Sequence, residues 1–258
     1  MSGQVLLSFD VEEFDMPLEY HFPISAKEQM QVGKAGLDAL MPMIDSHSVA
    51  STLFTTANFA QHYPDAIREH AIKHEIASHT FYHSDFENEH LLQSRQVLAT
   101  ISGQEIRGLR MPRMRKVAMT EVIKAGFSYD SSINPTWIPG RYNNLHLPRT
   151  VYQDQGMTRM PASVSPMRIP LFWLSFKNFP YSLFLAWTKN TLKKDGYVCL
   201  YFHPWEFVPI EAYGLPAYTR TDCGPKLLDK LDQLIKDLKA AGYGFNNMGN
   251  YLQQKSPA

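Results

Sequence analysis

The sequence predicts an α/β fold built on parallel strands, and three observations carry that expectation. Short, nearly continuous apolar runs recur along the chain, the form taken by strands buried on both faces. Amphipathic segments of helical period separate them. The polar residues capable of chemistry collect at the ends of the predicted strands, where parallel α/β folds build their sites.

The first strand is expected at 4–9, Gln-Val-Leu-Leu-Ser-Phe, and runs into the acidic cluster Asp10, Glu12, Glu13 and Asp15. A helix follows over 27–47, with Met30, Leu37, Leu40, Met41 and Ile44 on one side. Strands at 50–56, 75–78 and 105–110 are separated by helices near 64–73 and 86–101. A helix at 115–125 is closed by Gly126, a residue type suited to the left-handed turn after a helix. After residue 133 the alternation fails: 134–180 is rich in Pro, Met and aromatics and shows few clear elements. A helix at 181–194, a strand at 196–203, a helix at 225–241 and a short strand at 243–246 complete the chain. No repeat or linker is visible, so residues 1–258 are expected to form one domain with a hydrophobic and aromatic insertion at about 134–195.

Bulk composition excludes several classes. With 44% apolar residues among 258, a large core is available and long disorder is not expected. Lys+Arg and Asp+Glu both total 25, so the basic excess typical of a nucleic-acid binder is missing, and no nucleic-acid partner is expected. Cys199 and Cys223 are too few for a disulfide framework or a zinc ribbon. The start Met1-Ser2-Gly3-Gln4 has no basic leader region, and no run of about 18 apolar residues occurs, so a cytoplasmic location is expected.

His79 and His83 are spaced by four, which can set two imidazoles on one side of a helical turn for a single metal ion. A second pair, His70 and His74, lies in a charged stretch and reads as a solvated helix face. Asp10 and Glu12 are two apart on a strand end and point to the same side. One of them could complete a two-His, one-carboxylate metal site while the other serves as general base. Arg110 ends a strand and could hold a carboxylate; His203 closes another and could donate a proton. Pro204-Trp205-Glu206 could form an aromatic wall. The chain has no Gly-x-Ser-x-Gly elbow and no phosphate-binding Gly-rich loop.

In order along the chain stand Ser8-Phe9-Asp10-Val11-Glu12-Glu13, Glu75-Ile76-Ala77-Ser78-His79-Thr80-Phe81-Tyr82-His83, Arg110-Met111-Pro112-Arg113, Tyr129-Asp130-Ser131-Ser132 and Phe202-His203-Pro204-Trp205. This series resembles the polysaccharide deacetylases of the NodB-homology type, carbohydrate esterase family four. The resemblance covers roughly 4–132 and 196–250. It implies a distorted, TIM-like (β/α)7 barrel with zinc, or another divalent transition metal, at its mouth. By the same resemblance His79 and His83 are metal ligands, Asp10 is the catalytic base and Arg110 orients it. His203 is the general acid, and the Arg113 backbone N–H is an oxyanion donor.

Three departures from the family pattern are visible. Val11 replaces the second of two adjacent Asp residues, which makes Glu12 the third metal ligand. Arg113 stands where an aromatic usually follows the Pro, and Tyr201 where a Leu usually precedes the His. Asp130 is a candidate to tune one of the histidines. The implied reaction is hydrolysis of an N-acyl group, N-acetyl above all, from an amino sugar in a glycan or glycan precursor. A lipid-linked amino sugar, a cyclic amide, or sugar binding without catalysis are the alternatives. The dense aromatic block around Phe172 and Trp173, with lysines nearby, is either core or an interfacial surface for peripheral membrane contact.

Overall fold

In the computed structural model, which describes residues 3–255, the strands are β1 (Gln4–Val11), β2 (Thr52–Thr55), β3 (Glu75–Ser78), β4 (Gly108–Leu109) and β5 (Tyr129–Asp130). The middle of the chain adds β6 (Trp137–Ile138), β7 (Tyr142–Asn143), β8 (Tyr152–Asp154) and β9 (Met157–Arg159). Then come β10 (Tyr197–Phe202) and β11 (Gly244–Phe245). The main sheet runs β10-β1-β2-β3-β4-β5-β9-β8, with β11 also on β1; every pairing is parallel except β8 with β9. The sheet curls until its far side meets β10: Ser163 N–H donates to Cys199 O at 2.9 Å, and Cys199 N–H donates to Ser163 Oγ at 2.8 Å. Seven staves thus surround one interior, the distorted (β/α)7 barrel that the motif series implies. β9, from the stretch that looked structureless, is one of those staves. Of the other three short strands there, β8 pairs with β9, and β6 and β7 form a separate antiparallel hairpin.

Strand β1 shows how the sequence builds this. Val5, Leu7, Phe9 and Val11 face the surrounding helices and belong to the large outer core. Leu6 faces inward, onto Phe54, Ala77, Tyr129, Cys199 and Met248. Side chains alternate along a strand, so Ser8, Asp10 and Glu12 continue the inward row toward the mouth. The interior is therefore apolar at its floor and polar at its top. A glycine makes the floor passable: a Cβ on Gly108 would lie 2.2 Å from the Tyr129 ring, which crosses the interior there. The helix Ala26–Ser46 clamps the mouth from outside. A Cβ on Gly36 would lie 2.1 Å from the Pro204 carbonyl, so the glycine lets this helix touch the turn after β10.

Several boundaries differ from expectation. The helix expected at 86–101 begins at Glu89, and the one at 115–125 is reduced to Met119–Lys124, preceded by a 3₁₀ turn over Pro112–Met114. Arg115 and Ala118 have ψ 139 and 127, outside the helical range, so the helix cannot start before Met119. A C-terminal helix, Met248–Lys255, was not expected; it caps the barrel floor, where Gly249 N–H donates to the buried Glu75 carboxylate at 2.9 Å. No helix among the described residues is long and apolar enough to cross a membrane.

Candidate active site

Glu12, His79 and His83 converge at the mouth, all buried. Glu12 Oε2 lies 3.0 Å from His79 Nε2 and 3.1 Å from His83 Nε2. The other ring nitrogens are committed. His79 Nδ1–H donates to the Arg110 carbonyl at 2.7 Å, and His83 Nδ1–H donates to Asp15 Oδ1 at 2.6 Å. Each imidazole therefore turns its Nε2 inward, with the tautomer set by an outer partner as metal sites require. The far Glu12 oxygen accepts from Trp205 Nε1–H at 3.0 Å. Oε2 itself has no hydrogen-bond partner among the described residues although it is buried. A buried carboxylate oxygen between two imidazole Nε2 atoms is a donor set that fits a divalent cation.

The histidines do not sit on a helical turn, contrary to the sequence reading. They occupy the loop after β3, pinned to the start of the helix Ala57–His62 that follows β2: Ala57 N–H donates to Thr80 O at 3.0 Å and Asn58 N–H to Phe81 O at 2.9 Å. Thr80 adopts φ 63, an uncommon value for a β-branched residue. Its hydroxyl donates to Tyr82 O at 2.9 Å and its N–H to Ser78 Oγ at 3.1 Å, which holds the conformation. Glu13 points away from Glu12, His79 and His83 and accepts from Thr56 Oγ1 and Asn58 Nδ2, both at 2.6 Å.

Asp10 lies beside this cluster. Arg110 donates to Asp10 Oδ1 at 2.7 Å, to Ser8 Oγ at 3.0 Å and to Ser131 Oγ at 3.1 Å. Its guanidinium covers the Phe54 ring at 4.1 Å, so it is fully buried yet partnered on every side. The second Asp10 oxygen faces His203 Nε2 at 3.9 Å. Arg113 holds φ 55 in the turn after β4, and its side chain bridges Glu19, Asp15 and Ser84.

Three neighbours of these candidate residues escaped the sequence reading. Asp15 orients His83. Glu206 Oε1 accepts from His203 Nδ1–H at 3.0 Å, and Lys177 Nζ lies 2.8 Å from Glu206 Oε2. Lys177 and Glu206 are completely buried. Burial alone would lower the His203 pKa; the Glu206 carboxylate, with Glu12 and Asp10 nearby, outweighs it and holds the ring above the ordinary histidine value. Burial likewise pushes the Glu206 carboxyl up, but Lys177 and His203 bring it below its usual value. The spacing of Glu206 three residues after His203 was visible in sequence; its partner Lys177, 29 positions away, was not.

Other expectations are corrected. His74 is not solvated: it is buried, with Nδ1 2.9 Å from Ser51 Oγ and Nε2 3.0 Å from Asp45. Asp130 touches no histidine; it pairs with Arg159 at 2.9 Å and binds Ser132. Phe172 and Trp173 are buried, so they cannot be the residues that insert into an interface. Trp173 packs edge-on against His203, with ring centroids 5.1 Å apart, and lines the pocket.

The pocket over these groups holds about 300 Å³. Its floor is Asp10, Glu12, His79, His83 and His203, and its walls include Met111, Phe172, Trp173, Leu174 and Tyr201. Residues 28–128, which carry His79, His83, Arg110 and Arg113, match the polysaccharide deacetylase family model.

The chain carries the polysaccharide deacetylase fold.

The same deacetylase fold appears in a Mycobacterium smegmatis structure named for the polysaccharide deacetylases, at 19% identity, with 98% of this chain and 92% of that one aligned and a TM-score of 0.64. It appears in a peptidoglycan deacetylase from Bacillus subtilis, at 13% identity, 98% and 91% coverage and a TM-score of 0.54. A CE4 family pseudoenzyme from Bacillus anthracis also shares it, at 12% identity, 96% and 65% coverage and a TM-score of 0.53. No curated protein sequence matches.

Proposed function

We propose that this chain is a metal-dependent hydrolase that removes a small N-acyl group, acetyl above all, from an amino sugar of a glycan or glycan precursor. The observation that carries this reading is the unpaired Glu12 Oε2 between two inward-turned Nε2 atoms, with Asp10 and His203 facing each other beside it. Glu12, His79 and His83 would hold the ion, zinc by preference given two imidazoles and one carboxylate. When bound, the ion supplies Lewis-acid polarisation and lowers the pKa of water.

The chain's own residues supply the rest. Asp10, oriented by Arg110, accepts a proton from water as it attacks the acyl carbonyl. The Arg113 N–H, offered by a left-handed turn at the pocket wall, is the proposed donor to the developing oxyanion, a contribution of about 3–4 kcal/mol in comparable sites. Glu206 accepts from His203 Nδ1–H and favours the doubly protonated ring, whose Nε2–H is the proton delivered to the departing nitrogen. Trp173, Trp205 and Phe172 exclude water around the reacting group.

A catalytically silent sugar-binding protein is the second reading, since one fold neighbour is a pseudoenzyme. Base, acid and ligand candidates, each held by its own partners, favour catalysis. Free-amine release from N-acetylglucosamine oligomers and other N-acylated amino sugars by zinc-loaded protein tests the proposal. Stoichiometric amine is expected from at least one of them; its absence from all would overturn the hydrolase reading.

A further inference from the structure

Beside the pocket lies a larger groove of about 750 Å³. The two concavities share Arg113, Met114, Arg141 and Tyr142 as a common wall. The groove is further lined by Arg115, Lys116, His146 and Arg159, with Asp154 as its single carboxylate.

These cations are not equally available. Arg159 is neutralised by Asp130 at 2.9 Å and Asp154 at 2.8 Å. Arg113 and Arg141 share one carboxylate, Glu19, the latter at a loose 3.8 Å. Arg113 also leans on Asp15, which already serves His83. Arg115 and Lys116 are exposed and have no ion pair among the described residues; the Arg115 guanidinium merely covers the Phe86 ring at 5.7 Å. Two successive residues, Arg113 and Met114, hold φ 55 and 53 in the turn that carries this series. Such values are uncommon for non-glycine residues and cluster at binding sites. In a chain whose charges balance overall, a cationic surplus is thus concentrated where a glycan leaving the pocket would run.

We propose that this groove is a subsite for an anionic unit, bearing a carboxylate or a phosphate, next to the sugar that is deacylated. The proposal rests on the hydrolase reading above and narrows its substrate to acidic glycans or phosphate-linked amino sugars. Arginine and lysine recognise both oxyanions, the guanidinium through paired N–H donors.

Three probes separate the cases: an N-acetylglucosamine tetramer, a tetrasaccharide alternating N-acetylglucosamine with glucuronate, and a nucleoside diphosphate N-acetylglucosamine. Binding by calorimetry and amine release are both measured on the zinc-loaded protein, wild type and Arg115→Gln/Lys116→Gln, in low and high salt. We expect one anionic probe to bind about tenfold more tightly than the neutral tetramer. That margin should shrink in high salt and vanish in the double variant, with the neutral tetramer as internal reference. A margin for the glucuronate probe assigns the groove to carboxylates, and one for the nucleotide sugar to phosphates. Equal binding of all three probes, a margin that survives the double substitution, or binding of none overturns the proposal. Amine release without a binding margin would leave the hydrolase standing and remove only the subsite. A margin without amine release would do the reverse.

Discussion

Trp205 donates its indole Nε1–H to Glu12 Oε1 at 3.0 Å, with both side chains buried. That bond occupies one carboxylate oxygen and turns the other toward His79 and His83. The same indole stacks on His203, with ring centroids 4.8 Å apart. One side chain therefore fixes both a proposed ligand and the proposed acid.

Trp205→Phe keeps an aromatic ring against His203 and deletes the N–H. The metal dissociation constant should rise about 10- to 100-fold, the usual cost of losing an outer-shell partner. Competition with a coloured chelator measures it. An unchanged constant would mean that Glu12 is aligned without its indole partner.

Asp10 and Glu12 are expected to separate by role. Asp10→Asn should keep the metal and cut kcat by about 10²-fold or more, through loss of the general base. Glu12→Gln should lose metal first. Glu13→Gln should change neither, because Glu13 faces Thr56 and Asn58 on the outer side of the strand end. Metal analysis and kcat on the same three preparations decide this, and metal loss confined to Glu13→Gln would refute the strand phase.

Glu206→Gln and Lys177→Met should move the alkaline limb of the pH–rate profile. The acid must be protonated to act, so activity falls as pH rises through the His203 pKa. Glu206 raises that pKa against the opposing effect of burial. Removing its charge should therefore shift the limb to lower pH, with metal content unchanged. Lys177→Met should act in the same direction more weakly, by letting Glu206 take up a proton. Asp130→Asn, which touches Arg159 rather than a histidine, should leave the limb where it is. A limb unmoved by Glu206→Gln would detach Glu206 from the mechanism.

Arg110→Met strands the Asp10 carboxylate in the barrel interior. Breaking a buried pair from one side costs about 3–5 kcal/mol, so urea unfolding should show a loss of that size. The double variant Arg110→Met/Asp10→Leu should recover part of it without recovering activity. A loss below about 1 kcal/mol would show that solvent reaches Asp10.

The parallel α/β character and the inward row of the site were legible from local pattern; the barrel itself came from the resemblance of the motif series. Leu6, Ser8, Asp10 and Glu12 lie on one face of β1 by alternation alone, and His203 ends an unmistakable apolar strand. Arg110 was legible for the same reason. What failed depends on contacts between distant segments. The His79–His83 spacing suggested a helix, but backbone donors at Ala57 and Asn58 hold it as a loop. The charged neighbours of His74 suggested solvent, yet Ser51 and Asp45 bury it. Lys177 stood out only as one of several lysines beside an aromatic block. Only the fold brings it to Glu206, Cys223 and the Thr219 carbonyl. β9 is only three residues long, too short for periodicity to reveal.

The central claim is that Glu12, His79 and His83 hold one ion on which hydrolysis depends. Elemental analysis of the purified chain, joined to amine release before chelation, after chelation and after zinc is restored, tests it most directly. The account predicts about one zinc per chain in the wild type and in His70→Ala, and loss of zinc in His79→Ala and His83→Ala. It also predicts activity that disappears with the metal and returns with it. Zinc retained by His79→Ala and His83→Ala, or amine release undiminished in the stripped protein, would contradict it.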